Sequence, residues 1–205
     1  MGMHVMRRME QLLFAAGFAC LAFFLWSTGE RAWYQRLYLQ ELNFQDNGRA
    51  NNEREVPNSQ ALYTAATLRS GPIGRIEVPR VQLSAAILDG VDTGTLDRAV
   101  GHVPGTAYPG EPKGRVALAA HRDSFFRDLG ILRRGDTIRL ATGGRVREYK
   151  VESTEVVKPD QIEVLAPTPD SMLTLVTCYP FRYLGNAPER FIVNARLVEG
   201  RDHAE

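Results

Sequence analysis

The sequence predicts a mainly β domain, a closed or nearly closed barrel or a sandwich, and three observations predict it. From Gly71 onward apolar and β-branched residues come in short runs rather than at helical spacing. Glycine and proline separate the runs, as turns between strands require. GDTIRLATGGRVREYKV reads as a hairpin, two alternating runs around Thr142-Gly143-Gly144.

In chain order the expected strands are Ile73–Val78, Ala85–Leu88, Arg115–Ala120, Thr137–Ala141, Arg145–Val157, Leu173–Thr177 and Phe191–Val198. Short helical pieces are expected around Thr95–Val100 and Phe126–Leu132. No internal repeat stands out. Ahead of this domain, Leu12–Trp26 (LLFAAGFACLAFFLW) carries no charge. With its flanks it offers about eighteen residues, near the lower limit of the ~17–25 of a membrane-spanning helix. A signal-peptide core competes, but no small-x-small cleavage site follows, and Trp26, Trp33 and Tyr34 supply interfacial anchors. Arg7 and Arg8 place the N-terminus in the cytoplasm and everything after Gly29 outside, although Arg31 and Arg36 weaken that bias. The expected organisation is therefore a cytoplasmic N-terminus and membrane anchor over residues 1–29, a juxtamembrane helix and polar linker over 30–70, a β domain over 71–199 and a tail over 200–205.

A net charge of +1 and a pI near 7.8 provide no field suited to nucleic acid. Of the two cysteines, Cys20 lies inside the apolar run and Cys178 in the β domain, so a disulfide between them is not expected. Cys178 is left as a lone thiol.

Thiolate chemistry needs a neighbour that takes the proton, usually a histidine in a partly exposed setting. Cys178 ends the apolar run MLTLVTC and is followed by Tyr179-Pro180, where proline stops pairing within a central strand. His121 ends RVALAA and opens HRDSFF. Two strand ends thus each carry half of a nucleophile and base pair. Taken singly, each has an ordinary reading: Cys178 as a small buried hydrophobe, His121 as a hydrogen-bonded polar residue, Arg190 as a surface arginine opening a strand. Only the joint pattern favours chemistry.

At these residues the chain resembles the sortase family. TLVTC (Thr174–Cys178) is similar to the TLxTC signature, LAAHRDSFF (Leu118–Phe126) to the histidine segment and APERFIV (Ala187–Val193) to the arginine strand. His121 precedes Cys178 by 57 positions and Arg190 follows it by 12, in the family order. The resemblance extends from Gly71 to Val198, and TCYPF with a single amino-terminal anchor looks most like class D. Ala120, where glycine is common, and Ser124, where threonine is frequent, depart from the pattern.

The resemblance implies a closed eight-stranded sortase-type β-barrel with short helices, behind an N-terminal transmembrane helix on the cytoplasmic membrane of a bacterium, with the catalytic domain outside. It implies a cysteine transpeptidase in which Cys178 attacks an LPxTG-like sorting signal, His121 moves protons and Arg190 stabilises the oxyanion, with a peptidoglycan precursor or pilin lysine as the amine acceptor. It also implies that thiol and imidazole do not rest mainly as an ion pair. Thr177 and Ile192 are candidates for substrate binding, the loop Ile162–Asp170 for shaping the groove and Tyr179–Glu189 for flanking the second substrate. No cofactor is expected, and no metal, since Asp136, Asp160 and Glu163 are scattered.

Two other readings remain open. A thiol peptidase would use the same three residues to hydrolyse without transfer, and a non-catalytic membrane-tethered β-barrel would use none of them. A papain-type arrangement is disfavoured because its histidine follows the cysteine, and here only His203 does. His102 lies in a glycine-rich, turn-like setting that favours a structural role.

Overall fold

The computed structural model describes residues 71–198, together with residues 11, 13, 14 and 17–21 and the backbone of 203–204. Among the described residues nine strands form one sheet: β1 Gly74–Val78, β2 Leu83–Asp89, β3 Val100–His102, β4 Gly114–Ala119, β5 Thr137–Thr142, β6 Arg145–Val157, β7 Ser171–Tyr179, β8 Glu189–Leu197 and β9 His203–Ala204. Their order is β5-β1-β2-β3-β4-β7-β8-β6, and β6 pairs back onto β5, so eight strands close a barrel. The two-residue β9 adds to β6 through Arg145↔Ala204 and Val146↔His203. Closure gives each of the eight strands a neighbour on both sides over part of its length, and β9 takes a stretch of β6 that β8 does not cover.

The expected hairpin is present, with a two-residue turn. Gly143 and Gly144 both take positive φ (56° and 77°), the conformation a tight twisted hairpin demands and glycine adopts at least cost. One helix, α1 (Thr93–Arg98), links β2 to β3 as a crossover between parallel strands. Asp92 caps it by accepting from Thr95 N at 3.1 Å and from the Thr95 hydroxyl at 2.6 Å. These bonds hold the Asp92 carboxyl below its ordinary range.

Two elements differ from expectation. β3 is a strand the run pattern did not disclose, being three residues around a glycine. Gly101 is required there, since a Cβ would lie 2.3 Å from the Gly90 carbonyl oxygen. Residues 126–132 form turns and a 3-10 segment, Leu129–Ile131, rather than an α-helix. Phe126, Leu129 and Leu132 nevertheless join the barrel core with Leu118, Tyr149, Leu173, Leu175 and Val193. Burying each such side chain contributes about 1.5–3 kcal/mol, which fastens the segment that follows His121 to the barrel.

Most of the expected membrane run, Leu12–Trp26, and all of the expected linker over 30–70 lie outside the described residues. Those of the run that are described are helical and exposed. Among the described residues no helix is long and apolar enough to cross a membrane.

Candidate active site

β7 runs between β4 and β8, and this placement builds the site. β4 and β7 are parallel, in register from Gly114↔Ser171 to Ala119↔Val176, so both end at the same rim. Cys178 lies at that end of β7, and His121 lies two residues beyond the end of β4. β8 returns antiparallel, which sets Arg190 directly opposite Cys178 and Ile192 opposite Val176. Adjacent residues on a strand point to opposite faces. Leu173 and Leu175 with Val193 and Ala195 fill the barrel interior. Thr174, Val176 and Cys178 with Arg190, Ile192 and Asn194 therefore share the outer face. Opposite residues in an antiparallel pair have Cβ atoms about 4.5–5.5 Å apart, so the guanidinium stem and the thiol are neighbours.

Cys178 is a free thiol, partly exposed. Arg190 is half-buried, and its Nη1 donates to the carbonyl oxygens of Ala187 (3.3 Å) and Glu189 (2.9 Å). These bonds turn the planar fork along the loop between β7 and β8. Its other N–H groups make no hydrogen bond among the described residues. The His121 ring is 37% exposed, and its Nε2 faces Asp97 Oδ1 of α1 at 3.5 Å. Among the described residues no hydrogen bond joins the imidazole to the thiol.

Thr177 points into the barrel, 2% exposed, and its hydroxyl donates to the Ala120 carbonyl oxygen at 2.8 Å. Ala120 N in turn donates to Val176 O at 3.3 Å. Ile192 is buried at 1% exposure on the outer face, beside the thiol's row. The loop 162–170 begins with a 3-10 turn, Ile162–Leu165. It is tied down by Arg115 of β4, whose Nε donates to Ala166 O at 2.9 Å. Arg115 Nη1 also donates to Thr174 Oγ1 (2.7 Å) and Asn194 Oδ1 (3.1 Å), and Asn194 Nδ2 donates to Glu155 Oε1 (3.0 Å). Burial lowers the Arg115 guanidinium below its ordinary value, and the Glu155 charge pulls it back up. The outer face thus runs from Cys178 and Arg190, past Val176 and Ile192, to a polar floor under a pinned loop.

His102 is buried in β3, with Nδ1 2.9 Å from Asp89 Oδ1 and Nε2 3.1 Å from Ala107 O. Both ring nitrogens are engaged within the barrel wall. Asp136 accepts from Arg133 N at 2.8 Å and pairs with Arg80 at 3.2 Å. Among the described residues no three acidic, cysteine or histidine side chains are gathered in a way that could hold a metal ion.

Asp97, Arg115, Arg122 and Asn194 were not singled out in the sequence. For Asn194 a signal existed, since it continues the alternate positions Arg190 and Ile192. The other three act through partners 24 or more positions away, which no local pattern discloses.

A strand-end cysteine, a cross-strand arginine and a histidine just beyond the end of the adjoining parallel strand thus lie at one rim of a closed eight-stranded barrel. The family model of the sortase domain matches residues 76–198, and the chain belongs to the sortase family. It is 36% identical over 126 residues to Sortase D of Bacillus subtilis, a match covering 61% of this chain and 63% of that one. With Sortase A of Bacillus anthracis it shares 30% identity over 148 residues, covering 70% of this chain and 68% of the other. A Clostridium perfringens Sortase D5 transpeptidase superposes with a TM-score of 0.64 at 22% identity, over 83% of this chain and 99% of that chain. This last agreement concerns the fold.

Proposed function

We propose that the chain is a membrane-anchored sortase that cleaves an LPxTG-like sorting signal through a Cys178 thioacyl intermediate and passes the acyl group to an amine. What supports the reading above all is the cross-strand pairing of Cys178 with Arg190, beside the strand that delivers His121. The Cys178 thiolate attacks the scissile carbonyl, and a tetrahedral oxyanion forms within reach of the Arg190 guanidinium. The C–N bond then breaks as the His121 imidazolium protonates the leaving amine. The now neutral imidazole accepts a proton from the incoming amine, which displaces sulfur. Val176, partly exposed above the buried Ile192, offers an apolar contact for the signal, the loop 162–170 offers a wall, and Thr177 acts from inside the barrel by holding the two strand ends together.

Residues 12–26 would anchor the chain in the cytoplasmic membrane with the barrel outside. Protease added to intact cells should then remove the barrel, and a chain protected from it would refute the topology.

The catalytic reading is tested by mass spectrometry of the purified full chain after incubation with a sorting-signal peptide library. A thioester adduct on Cys178, lost in Cys178→Ala, is expected, with an amide product when an amine is added. A carboxylic acid product regardless of amine favours the thiol peptidase. No adduct and a thiol inert to alkylation favour the non-catalytic barrel.

A further inference from the structure

The segment that carries His121 also holds the loop between the nucleophile's strand and the arginine's strand. Arg122 follows the imidazole immediately. Its Nη1 donates to Pro180 O at 3.2 Å, and its Nη2 donates to Tyr183 O and Gly185 O, both at 2.8 Å. The guanidinium carbon also stands 5.8 Å from the centre of the Tyr183 ring, a cation–π distance. One side chain thus takes three carbonyls of a single loop by charge-assisted bonds.

A second contact joins the same two segments. Phe181 packs on Gly130 so closely that a Cβ there would lie 2.7 Å from the ring, and the ring meets Tyr179 and Phe191 at centroid distances of 5.7 and 5.2 Å. The rest of the loop is exposed from Arg182 to Asn186, with Leu184 at 98%. Its path is therefore set by these two contacts and by the Arg190 bonds to Ala187 and Glu189.

We infer that Arg122 is a positioning residue for the second half of the reaction: it fixes the β7–β8 loop as a wall of the opening through which an amine reaches the Cys178 thioester, and so sets the ratio of transfer to hydrolysis. The inference rests on the function proposed above. In that step the amine nitrogen forms a bond to the thioester carbonyl carbon and the C–S bond breaks. Sulfur leaves with the electron pair as thiolate, and the amine's proton passes to the neutral His121 imidazole, which restores the imidazolium. Water in place of the amine gives the carboxylic acid by the same departure. Arg122 touches none of these atoms. Its effect is on which nucleophile is held near the carbonyl and which is kept out.

The test compares the full chain, kept in detergent, with Arg122→Ala, Arg122→Lys and Gly130→Ala. Gly130→Ala disturbs the loop through Phe181 and leaves the arginine in place. Thioester formation on Cys178, the amide-to-acid product ratio and tryptic nicking after the exposed Arg182 are followed together. In Arg122→Ala the product ratio should fall about tenfold, the factor carried by a hydrogen bond to a charged group, with acylation within about threefold of wild type and faster nicking. Gly130→Ala should move ratio and nicking the same way, with Arg122→Lys between. An unchanged ratio in the folded variants overturns the inference, and so does acylation that falls by the same factor as transfer. If Arg122→Ala fails to fold, Arg122→Lys and Gly130→Ala decide by the same criterion. A wild-type chain that forms no thioester sinks the proposed function itself, and the partition argument with it.

Discussion

The Thr177 hydroxyl is bonded to the backbone of Ala120, so the residue before the thiol is fastened to the residue before the imidazole, 57 positions away in sequence. Thr177→Val keeps the shape, removes the donor and leaves a buried carbonyl with one partner fewer. Stability should drop by about 1–3 kcal/mol in denaturant titration. Turnover should fall with little change in KM, because the strand ends lose their register and the groove beyond them does not. A KM effect without a turnover effect would place the hydroxyl in substrate binding after all.

Arg190→Lys keeps a positive charge and loses the planar fork that two backbone carbonyls orient. Steady-state kinetics on a sorting-signal peptide should show turnover reduced by ~10²–10³, the effect of losing one preorganised oxyanion donor. Retention of wild-type turnover would deny Arg190 that role.

Arg115→Met unpins the loop 162–170 from β4 and breaks the links to Thr174 and Asn194. KM for the peptide should rise about tenfold, in line with the loss of charged hydrogen bonds. Alkylation of Cys178 by iodoacetamide, which needs no groove, should keep its wild-type rate. Slower alkylation would mean that the network supports the thiol itself.

Burial, and after it the Asp89 charge, push the Tyr108 phenol up from 10.0 to about 12. The folded state therefore favours the neutral phenol. Its contribution to stability is whole below pH 10 and is lost as pH rises through about 12. Denaturant midpoints of the wild type should decline over that window, and Tyr108→Phe should flatten the decline. Equal slopes for the two would place the alkaline sensitivity elsewhere.

The strands longer than four residues were legible because alternation and turn residues agree locally. β6 was read to its observed bounds, and β5 was one residue short. β3 was not legible: three residues hold no period, and the need for Gly101 appears only once the Gly90 carbonyl is beside it. Residues 126–132 imitated a helix because apolar side chains three apart also suit a turn seated on the barrel's core. For the site, Cys178 and His121 were legible as strand ends, whereas Arg190 was legible only through the resemblance of its segment. Their supports were not, since Arg115 and Arg122 look like solvated charges until the carbonyls they bind, 51 to 63 positions on, are in view.

β7 carries Cys178, and its two neighbours flank it in sequence, β4 well before it and β8 just after. β4 is complete long before the cysteine is reached, whereas β8 begins only at Glu189. A growing or truncated chain that stops short of β8 would expose a thiol with no guanidinium across from it and no barrel to hold its strand. On the function proposed above, an unfinished chain that lacks the last long strand would carry an ordinary cysteine.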